Sequence, residues 1–131
     1  MALGKIKADT LEHSTAGAVD TLYVVNGSAK VRGSKNTAGT SITGTLNISS
    51  LDDDGTGLAG INFSSAFSSA TYQGLLSIPV GVTAGNSAGH YAEINSKVAG
   101  ACDTKTWYGD ASTNATFIDW PYDIIIHGDL A

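Results

Sequence analysis

The alternation of apolar and polar residues between positions 41 and 63 constrains the fold of this chain more than any other feature. In its first half, every second residue is apolar or glycine, at Ile42, Gly44, Leu46 and Ile48. A two-residue period is typical of a β-strand with one buried face. The segment 52–57 then combines three aspartates with two glycines, residue types that favour the backbone angles of a turn. Because Ala59, Ile61 and Phe63 resume the alternation, the sequence predicts a β-hairpin with its turn at 52–57.

Other segments have the composition or the period of strands. A short β-branched strand is predicted at 21–25, where Asn26-Gly27-Ser28 ends it and 30–32 continues as its partner. Alternating strands are predicted at 72–80 and 90–98, and the last two strands at 117–120 and 122–127. Pro79 lacks an amide hydrogen, which favours the end of a strand or the edge of a sheet.

Glycine-rich polar segments separate these strands, and we expect loops at 33–40, 81–89 and 100–114. No segment has a convincing helical period. The sequence therefore predicts an all-β fold: an antiparallel sandwich or jelly-roll-like head at 21–131, preceded by an extended N-terminal arm or stem at 1–20.

The supply of large apolar residues is small for a chain of 131 residues. Leu, Ile, Val and Phe number 29, about 22% of the chain, where disorder sets in below roughly 20%. A β-rich chain with so little apolar surface gains stability when it buries a further face against copies of itself. We therefore expect an oligomer, in which Leu3, Ile6 and Leu11 of the arm meet their symmetry mates along an axis.

Charge and hydropathy exclude several classes of partner. The net charge is −5 and only 15% of the residues are charged, so no basic stripe is present to bind nucleic acid. No segment has the ~20 apolar residues of a membrane span, and we expect neither membrane insertion nor a signal peptide. The single cysteine, Cys102, excludes an internal disulfide and is expected to be a small buried residue.

The residues that could carry chemistry do not form a recognisable site. Asp52, Asp53 and Asp54 suggest calcium, but an EF-hand loop beginning at Asp52 needs a glutamate where the chain has Phe63. An acidic turn is the preferred interpretation, with a cation between subunits as the alternative. The histidines at 13, 90 and 127 have no metal-ligand spacing, and no nucleophile elbow is present. We expect no catalytic site, metal or cofactor.

Aromatic residues in the predicted 100–114 loop are the best candidates for contact with a partner. Trp107 and Tyr108 lie there beside Lys105 and Asp110. Rigid rings interspersed with charges are typical of surfaces that bind carbohydrate or protein. The alternative is that both rings fold back and cap the sandwich.

Four blocks of sequence carry a family resemblance. They are Gly27-Ser-Ala-Lys30, Gly39-Thr40, Thr45-Leu-Asn-Ile-Ser-Ser-Leu-Asp-Asp-Asp-Gly-Thr-Gly57 and Asn62-Phe-Ser-Ser-Ala-Phe-Ser-Ser-Ala-Thr-Tyr72. In this order and spacing they resemble the C-terminal module of bacteriophage tail fibres. The opening segment 5–17 and the closing segment 126–131 are similar to small virion proteins of phages that infect marine and freshwater bacteria.

The resemblance implies a homotrimer with an N-terminal stem near the threefold axis and a β-rich head whose outer loops face the environment. It implies a virion protein of the tail or head surface, made in the host cytoplasm. In one interpretation the chain is the receptor-binding end of a tail fibre, and Trp107 and Tyr108 touch host carbohydrate or protein. In the other it is a trimeric capsid decoration, or cement, protein whose arm lies on neighbouring shell subunits. The resemblance favours the fibre, whereas the short chain favours decoration.

Overall fold

The computed structural model describes residues 8–15, 17–79, 89–109 and 115–131. Within these ranges the protein is all-β and antiparallel, as the sequence predicts, apart from one short helix that the sequence does not predict. Its elements are β1 (Thr10–His13), β2 (Gly17–Asp20), α1 (Thr21–Gly27), β3 (Ala29–Lys35), β4 (Ile42–Leu46), β5 (Ile48–Gly55), β6 (Leu58–Phe63), β7 (Gln73–Ser77), β8 (Gly89–Val98), β9 (Ala101–Gly109), β10 (Thr116–Phe117) and β11 (Tyr122–His127).

Two sheets form the head. A four-stranded sheet has the order β4-β3-β11-β7. In a five-stranded sheet, β9 pairs with β8 along one edge and with β6 and β10 along the other, and β6 pairs with β5. Every pair is antiparallel. Both sheets contribute buried side chains to one core, so the predicted antiparallel sandwich is confirmed.

Alternating residues of both sheets fill the core. Its buried members are Val31, Ile61, Phe63, Phe67, Tyr72, Cys102, Tyr122, Ile124 and Ile126. Phe63 meets the edges of two neighbouring rings, with ring centroids 5.3 Å from Phe67 and 5.7 Å from Tyr72. Such edge-to-face pairs add about 0.5–1.5 kcal/mol each beyond the burial of their area. Cys102 is 2% exposed, which confirms its predicted burial.

The hairpin is confirmed on its returning arm and wrong on its first arm. Ala59, Ile61 and Phe63 are buried in β6 as predicted. The first arm breaks at Asn47, whose φ of 56° lies in the left-handed region that asparagine tolerates. The side-chain amide of Asn47 donates a 3.0 Å hydrogen bond to the carbonyl oxygen of Ser65 and accepts one of 2.7 Å from the backbone nitrogen of Ser65. This corner passes the chain from the four-stranded sheet to the five-stranded sheet. Leu46 is exposed on an outer face because the pairing of β4 with β3 shifts register between Arg32 and Ser34.

The reversal also lies later than predicted. The three aspartates belong to β5, and the chain turns at Thr56 and Gly57. Gly57 has a φ of 72°, and a Cβ atom there would lie 2.5 Å from the carbonyl oxygen of Thr106. Only glycine therefore combines this conformation with this close approach to β9.

The predicted strand at 21–25 is wrong, because these residues form α1. Asp20 caps the helix by accepting a 2.8 Å hydrogen bond from the amide of Leu22. At the other end, the amide of Ser28 donates a hydrogen bond to the carbonyl oxygen of Val24. β-Branched residues favour a strand only where a partner strand covers them. Here β1 and β2 pair with each other, and β3, the predicted partner, lies between β4 and β11.

Other predicted strands agree with the structure more closely. The 90–98 and 122–127 predictions correspond to β8 and β11. The 72–80 prediction corresponds to β7, an edge strand that ends before Pro79, as that proline indicates. The 117–120 prediction overlaps only the two-residue β10, and the loop predicted at 33–40 begins only after Lys35 because β3 runs that far. The predicted 81–89 loop lies outside the described residues except for Gly89, which begins β8.

The register defines two ends of the sandwich. From here on, the arm comprises β1, β2 and α1, and so extends past the predicted bounds of 1–20. We call one end of the sandwich the arm end, because β3 follows the arm and begins there with Ala29 paired to His127. His127 also pairs with Gln73, and Tyr72 donates a 2.7 Å hydrogen bond to Ala101 at the start of β9. Both β3 and β9 therefore begin at the arm end.

The opposite end, which we call the far end, lies about 20 Å away along the seven residues of β3. There Lys35 donates to the carbonyl oxygen of Trp120 at 3.2 Å, and Thr106 donates to that of Ile118 at 2.6 Å. The last residues of β9 lie at this end.

Candidate contact surface

The aromatic candidates lie on a strand in the middle of a sheet. The loop predicted at 100–114 is wrong, because 101–109 form β9. Successive residues of a strand point to opposite faces, so Trp107 and Tyr108 do not share a surface. Trp107 and Lys105 lie on the outer face of the five-stranded sheet, and Tyr108 lies on the inner side with the buried Thr106. Asp110 lies outside the described residues.

Hydrogen bonds to buried threonines fix this orientation of β9. Thr104 donates a 3.0 Å hydrogen bond to the carbonyl oxygen of Ala59 in β6, and its hydroxyl lies 2.7 Å from that of Tyr122 in β11. Thr106 donates to Ile118. Both threonines are at most 2% exposed, and a buried hydroxyl is stable only with partners of this kind. Because successive residues of a strand point to opposite faces, the inward side chains of Thr104 and Thr106 place Trp107 on the outer face.

Three aromatic residues form a row across the outer face at the far end. Tyr91 in β8 and Phe117 in β10 are the direct neighbours of Trp107 on either side. The rings of Tyr91 and Trp107 stack with centroids 5.5 Å apart and planes 16° apart. Tyr91 and Phe117 are each 47% exposed. We call Tyr91, Trp107 and Phe117 the aromatic ladder.

Charged residues lie in the next row of the same face. The Lys105 amine lies 3.9 Å from a carboxylate oxygen of Glu93, its direct neighbour on β8. Both side chains are partly exposed, so the pair stabilises the fold by at most about 1 kcal/mol. It offers a donor and an acceptor beside flat rings, the combination typical of surfaces that bind sugars or polar protein groups.

The inner side of the far end contains a second aromatic contact. The rings of His90 and Trp120 lie 4.8 Å apart, inclined at 45°. Trp120 is 5% exposed, and Tyr122, two residues later at the start of β11, is 1% exposed. Tyr108 pairs with His90 in the register. The geometry thus divides the two predicted roles: Trp107 faces outward, and Tyr108 lies on the packing side.

The sequence does not predict Tyr91 and Phe117 as members of this surface. One signal could have found Tyr91, since Ala99-Gly100 is a two-residue connection of the kind that joins hairpin strands. Folding the chain back at this point pairs β8 with β9 and places Tyr91 against Trp107. Phe117 gives no such signal, because the residues between it and β9 have no strand pattern.

The buried ionisable groups are poorly placed for chemistry. Burial lowers the pKa of Lys35, against the opposing attraction of Asp119 and Asp53, and its side chain is 3% exposed. Burial raises the pKa of Cys102 to about 12, so the thiol is protonated at neutral pH. Burial likewise raises the pKa of Tyr122 to about 12. These groups serve the core of the sandwich.

Two of the three aspartates of β5 accept hydrogen bonds within the hairpin. Asp52 accepts a 2.7 Å hydrogen bond from the Asn62 amide, and Asp53 accepts one of 3.0 Å from the Gly55 amide. Within the described ranges, no three His, Cys, Asp or Glu side chains are grouped so that they could hold a metal ion. The described part of the chain also has no helix with the length and hydropathy to span a membrane.

The arm presents a separate apolar surface. Leu11 pairs with Val19 in the β1-β2 hairpin, and the two are 47% and 41% exposed. The apolar residues of α1 are also exposed, at 59% for Leu22, 71% for Tyr23, 43% for Val24 and 54% for Val25. Leu3 and Ile6, the other predicted contacts of the arm, lie outside the described residues.

No protein-family model, curated protein or solved structure matches this chain. The function must therefore be inferred from the two surfaces and from the sequence resemblance.

Proposed function

We propose that this chain is a non-catalytic, homotrimeric bacteriophage surface projection that acts as the receptor-binding tip of a tail fibre. One observation supports this role above the others: the arm and the aromatic ladder lie at opposite ends of the sandwich. A receptor-binding tip needs this separation, because one end attaches to the particle and the other meets the host. The resemblance to the C-terminal module of phage tail fibres supplies the biological setting.

The exposed arm supports assembly from several copies. Helices of seven residues are not stable alone in water and depend on packing. Because the four consecutive apolar residues of α1 are 43% to 71% exposed in the single chain, the helix has apolar surface to bury. We propose that three arms bury much of this surface, together with Leu11 and Val19, around the threefold axis as the stem of the trimer.

The aromatic ladder supports recognition at the far end. Stacked rings with exposed edges offer rigid apolar area at little cost in side-chain entropy, and the neighbouring Lys105 and Glu93 offer polar contacts. This combination suits carbohydrate or protein on a bacterial surface.

Adsorption of the purified trimer to host cells tests this function. We expect Tyr91→Ala and Trp107→Ala to weaken binding by roughly tenfold or more, the effect of removing an aromatic anchor. The matched control is Val98→Ala, a residue of β8 that is 56% exposed at the arm end of the same sheet. It should bind as the parent protein does. Unchanged adsorption of both aromatic variants, with the trimer intact, would contradict the proposal.

The exposed apolar arm also supports a second role, capsid decoration, because the same residues could lie on neighbouring shell subunits. Labelling the protein in intact particles distinguishes the two roles. Label at the tail supports the fibre tip. Label on the head, lost when residues 1–11 are deleted, overturns the fibre tip and supports decoration.

A further inference from the structure

We propose that the outer face of the four-stranded sheet is the surface through which the heads of three copies pack around the threefold axis. This inference depends on the proposed homotrimer and identifies the face of the head that the trimer buries. Each copy contributes one half of its face to each neighbour, so the β7-β11 half of one copy meets the β3-β4 half of the next.

A continuous row of exposed side chains crosses this face. In the register, Leu75 pairs with Ile125, Ile125 with Arg32, and Arg32 with Leu46. The row spans all four strands, about 14 Å at the usual strand spacing. Its three apolar members are 71%, 43% and 46% exposed for Leu75, Ile125 and Leu46. The described residues of the chain leave this row open to solvent.

The other outer face of the sandwich has a different character. Apart from the aromatic ladder at the far end, it carries charged residues across its strands. They are Asp52, Glu93, Asp103 and Lys105. Among the described strand residues, the face of the four-stranded sheet presents Arg32 and Asp123 as charged residues, with Lys30 at its arm end. Burial against another copy therefore desolvates few charges on this face and many on the other.

The face also contains a projection and a hollow at different places. Leu75 is the most exposed apolar member of the row and lies on the edge strand β7. A hollow of about 370 Å³ lies over the middle of the face, bordered by Arg32 and Ser34 of β3, Asp123 and Ile125 of β11, and Gly44 of β4. The register shifts between Arg32 and Ser34, and a Cβ atom on Gly44 would meet nothing within 4 Å. The middle of the face, on its Gly44 side, is therefore open enough to receive a side chain from outside.

The two charges are divided between the same two halves. Asp123 lies on β11, where it accepts a 2.5 Å hydrogen bond from Ser34, and Arg32 lies on β3. When the β7-β11 half of one copy meets the β3-β4 half of the next, Asp123 of the first faces Arg32 of the second, and Leu75 faces the hollow beside Gly44. Since the two halves differ, the contact is heterologous, and three such contacts close a ring.

Charge reversal tests the pairing, with mass measured by analytical ultracentrifugation. The parent protein should sediment at three times its chain mass of 13.3 kDa. We expect Arg32→Glu alone, and Asp123→Lys alone, to raise the dissociation constant of the trimer by roughly tenfold or more. The double variant restores opposite charges across each contact and should recover most of that loss. Asp103→Lys, a reversal on the other outer face, is the matched control and should leave the mass unchanged.

Substitution of the apolar projection gives a second readout. Leu75→Asp should release the trimer to smaller species, whereas Val98→Asp, an exposed apolar residue of the other sheet, should not. A trimeric parent whose mass is unchanged in Leu75→Asp and in both single charge reversals overturns this inference and leaves the proposed function standing. A parent protein that is monomeric at every concentration overturns the proposed homotrimer itself.

Discussion

The hydroxyl groups of Thr104 and Tyr122 lie 2.7 Å apart in the interior and join the central strand of one sheet to a central strand of the other. Because Thr104 donates its own hydrogen to Ala59, its oxygen accepts the hydrogen of Tyr122. This buried pair holds β9 in the register that turns Trp107 outward. The core of the sandwich therefore also positions the candidate contact surface.

Removal of either hydroxyl should destabilise the protein. Thr104→Val leaves the Tyr122 hydroxyl without its acceptor in the interior, which costs about 1–3 kcal/mol in the free energy of unfolding. We expect Tyr122→Phe to cost about 1 kcal/mol. The double variant should cost less than the sum by about 0.5 kcal/mol or more, because each single change already removes the shared bond. Urea unfolding of the four proteins measures the difference, and strict additivity would exclude the coupling.

The buried thiol should make stability sensitive to alkaline pH. Burial raises the pKa of Cys102 from 9.0 to about 12, so its contribution is fully present below pH 9 and is lost as the pH rises towards 12. Over that range the folded protein retains a proton that the unfolded chain has released. Cys102→Ala removes this term, so we expect its unfolding free energy to fall less steeply between pH 9 and 11. The unfolding free energy of the parent protein over the same pH range is the reference. Parallel pH profiles of this free energy in the two proteins would contradict the prediction.

Gly57 should tolerate no side chain. Its φ of 72° is strained for alanine, and the new methyl group would meet the Thr106 carbonyl oxygen at 2.5 Å and the Ile118 nitrogen at 2.8 Å. We expect Gly57→Ala to lower the midpoint of thermal unfolding by an amount equivalent to more than about 1 kcal/mol. Gly100→Ala is the matched control, because a Cβ atom there meets nothing within 4 Å. Equal midpoints of thermal unfolding for the two variants would contradict this prediction and show that the turn can shift to accommodate the methyl group.

The arm should make stability depend on protein concentration. An oligomer that buries α1 unfolds at higher temperature when it is more concentrated. Replacement of Leu22 and Tyr23 by glutamine retains helix propensity for the most part and removes the apolar side chains. We expect this double variant to lose most of the concentration dependence of Tm. Glu12→Gln, on the neighbouring β1, should retain it, and an unaltered dependence in the double variant would exclude α1 from the assembly.

The sequence predicts those strands whose inward positions are large and apolar. In β11, Ile124 and Ile126 alternate with exposed residues, and the prediction is confirmed. In β9 the inward positions are Cys102, Thr104 and Thr106, which read as a polar loop. Their burial depends on hydrogen-bond partners supplied by other strands, and no local pattern shows these partners.

The helix and the corner were missed for a related reason. The 21–25 segment has the composition of a strand, but the Asp20 cap favours a helix and no described strand pairs with this segment, so it forms α1. Asn47 breaks an alternating run because Ser65, distant in sequence, binds its side chain. Of the contact surface, the sequence predicts Trp107 and Lys105 and misses the neighbours that make them a surface, since the fold alone brings those together.

The position of β3 has a mechanical consequence. This strand follows the arm directly and is bonded on both sides, to β4 and to β11. A pull on the arm acts along the strand, so the hydrogen bonds of both ladders bear the load together in shear instead of opening one after another. We expect the head to withstand far more tension through its N-terminus than a hairpin unzipped from its end, as single-molecule force measurements can show. In the proposed fibre tip, attachment of a particle to a moving cell would load the head in the direction in which it is strongest.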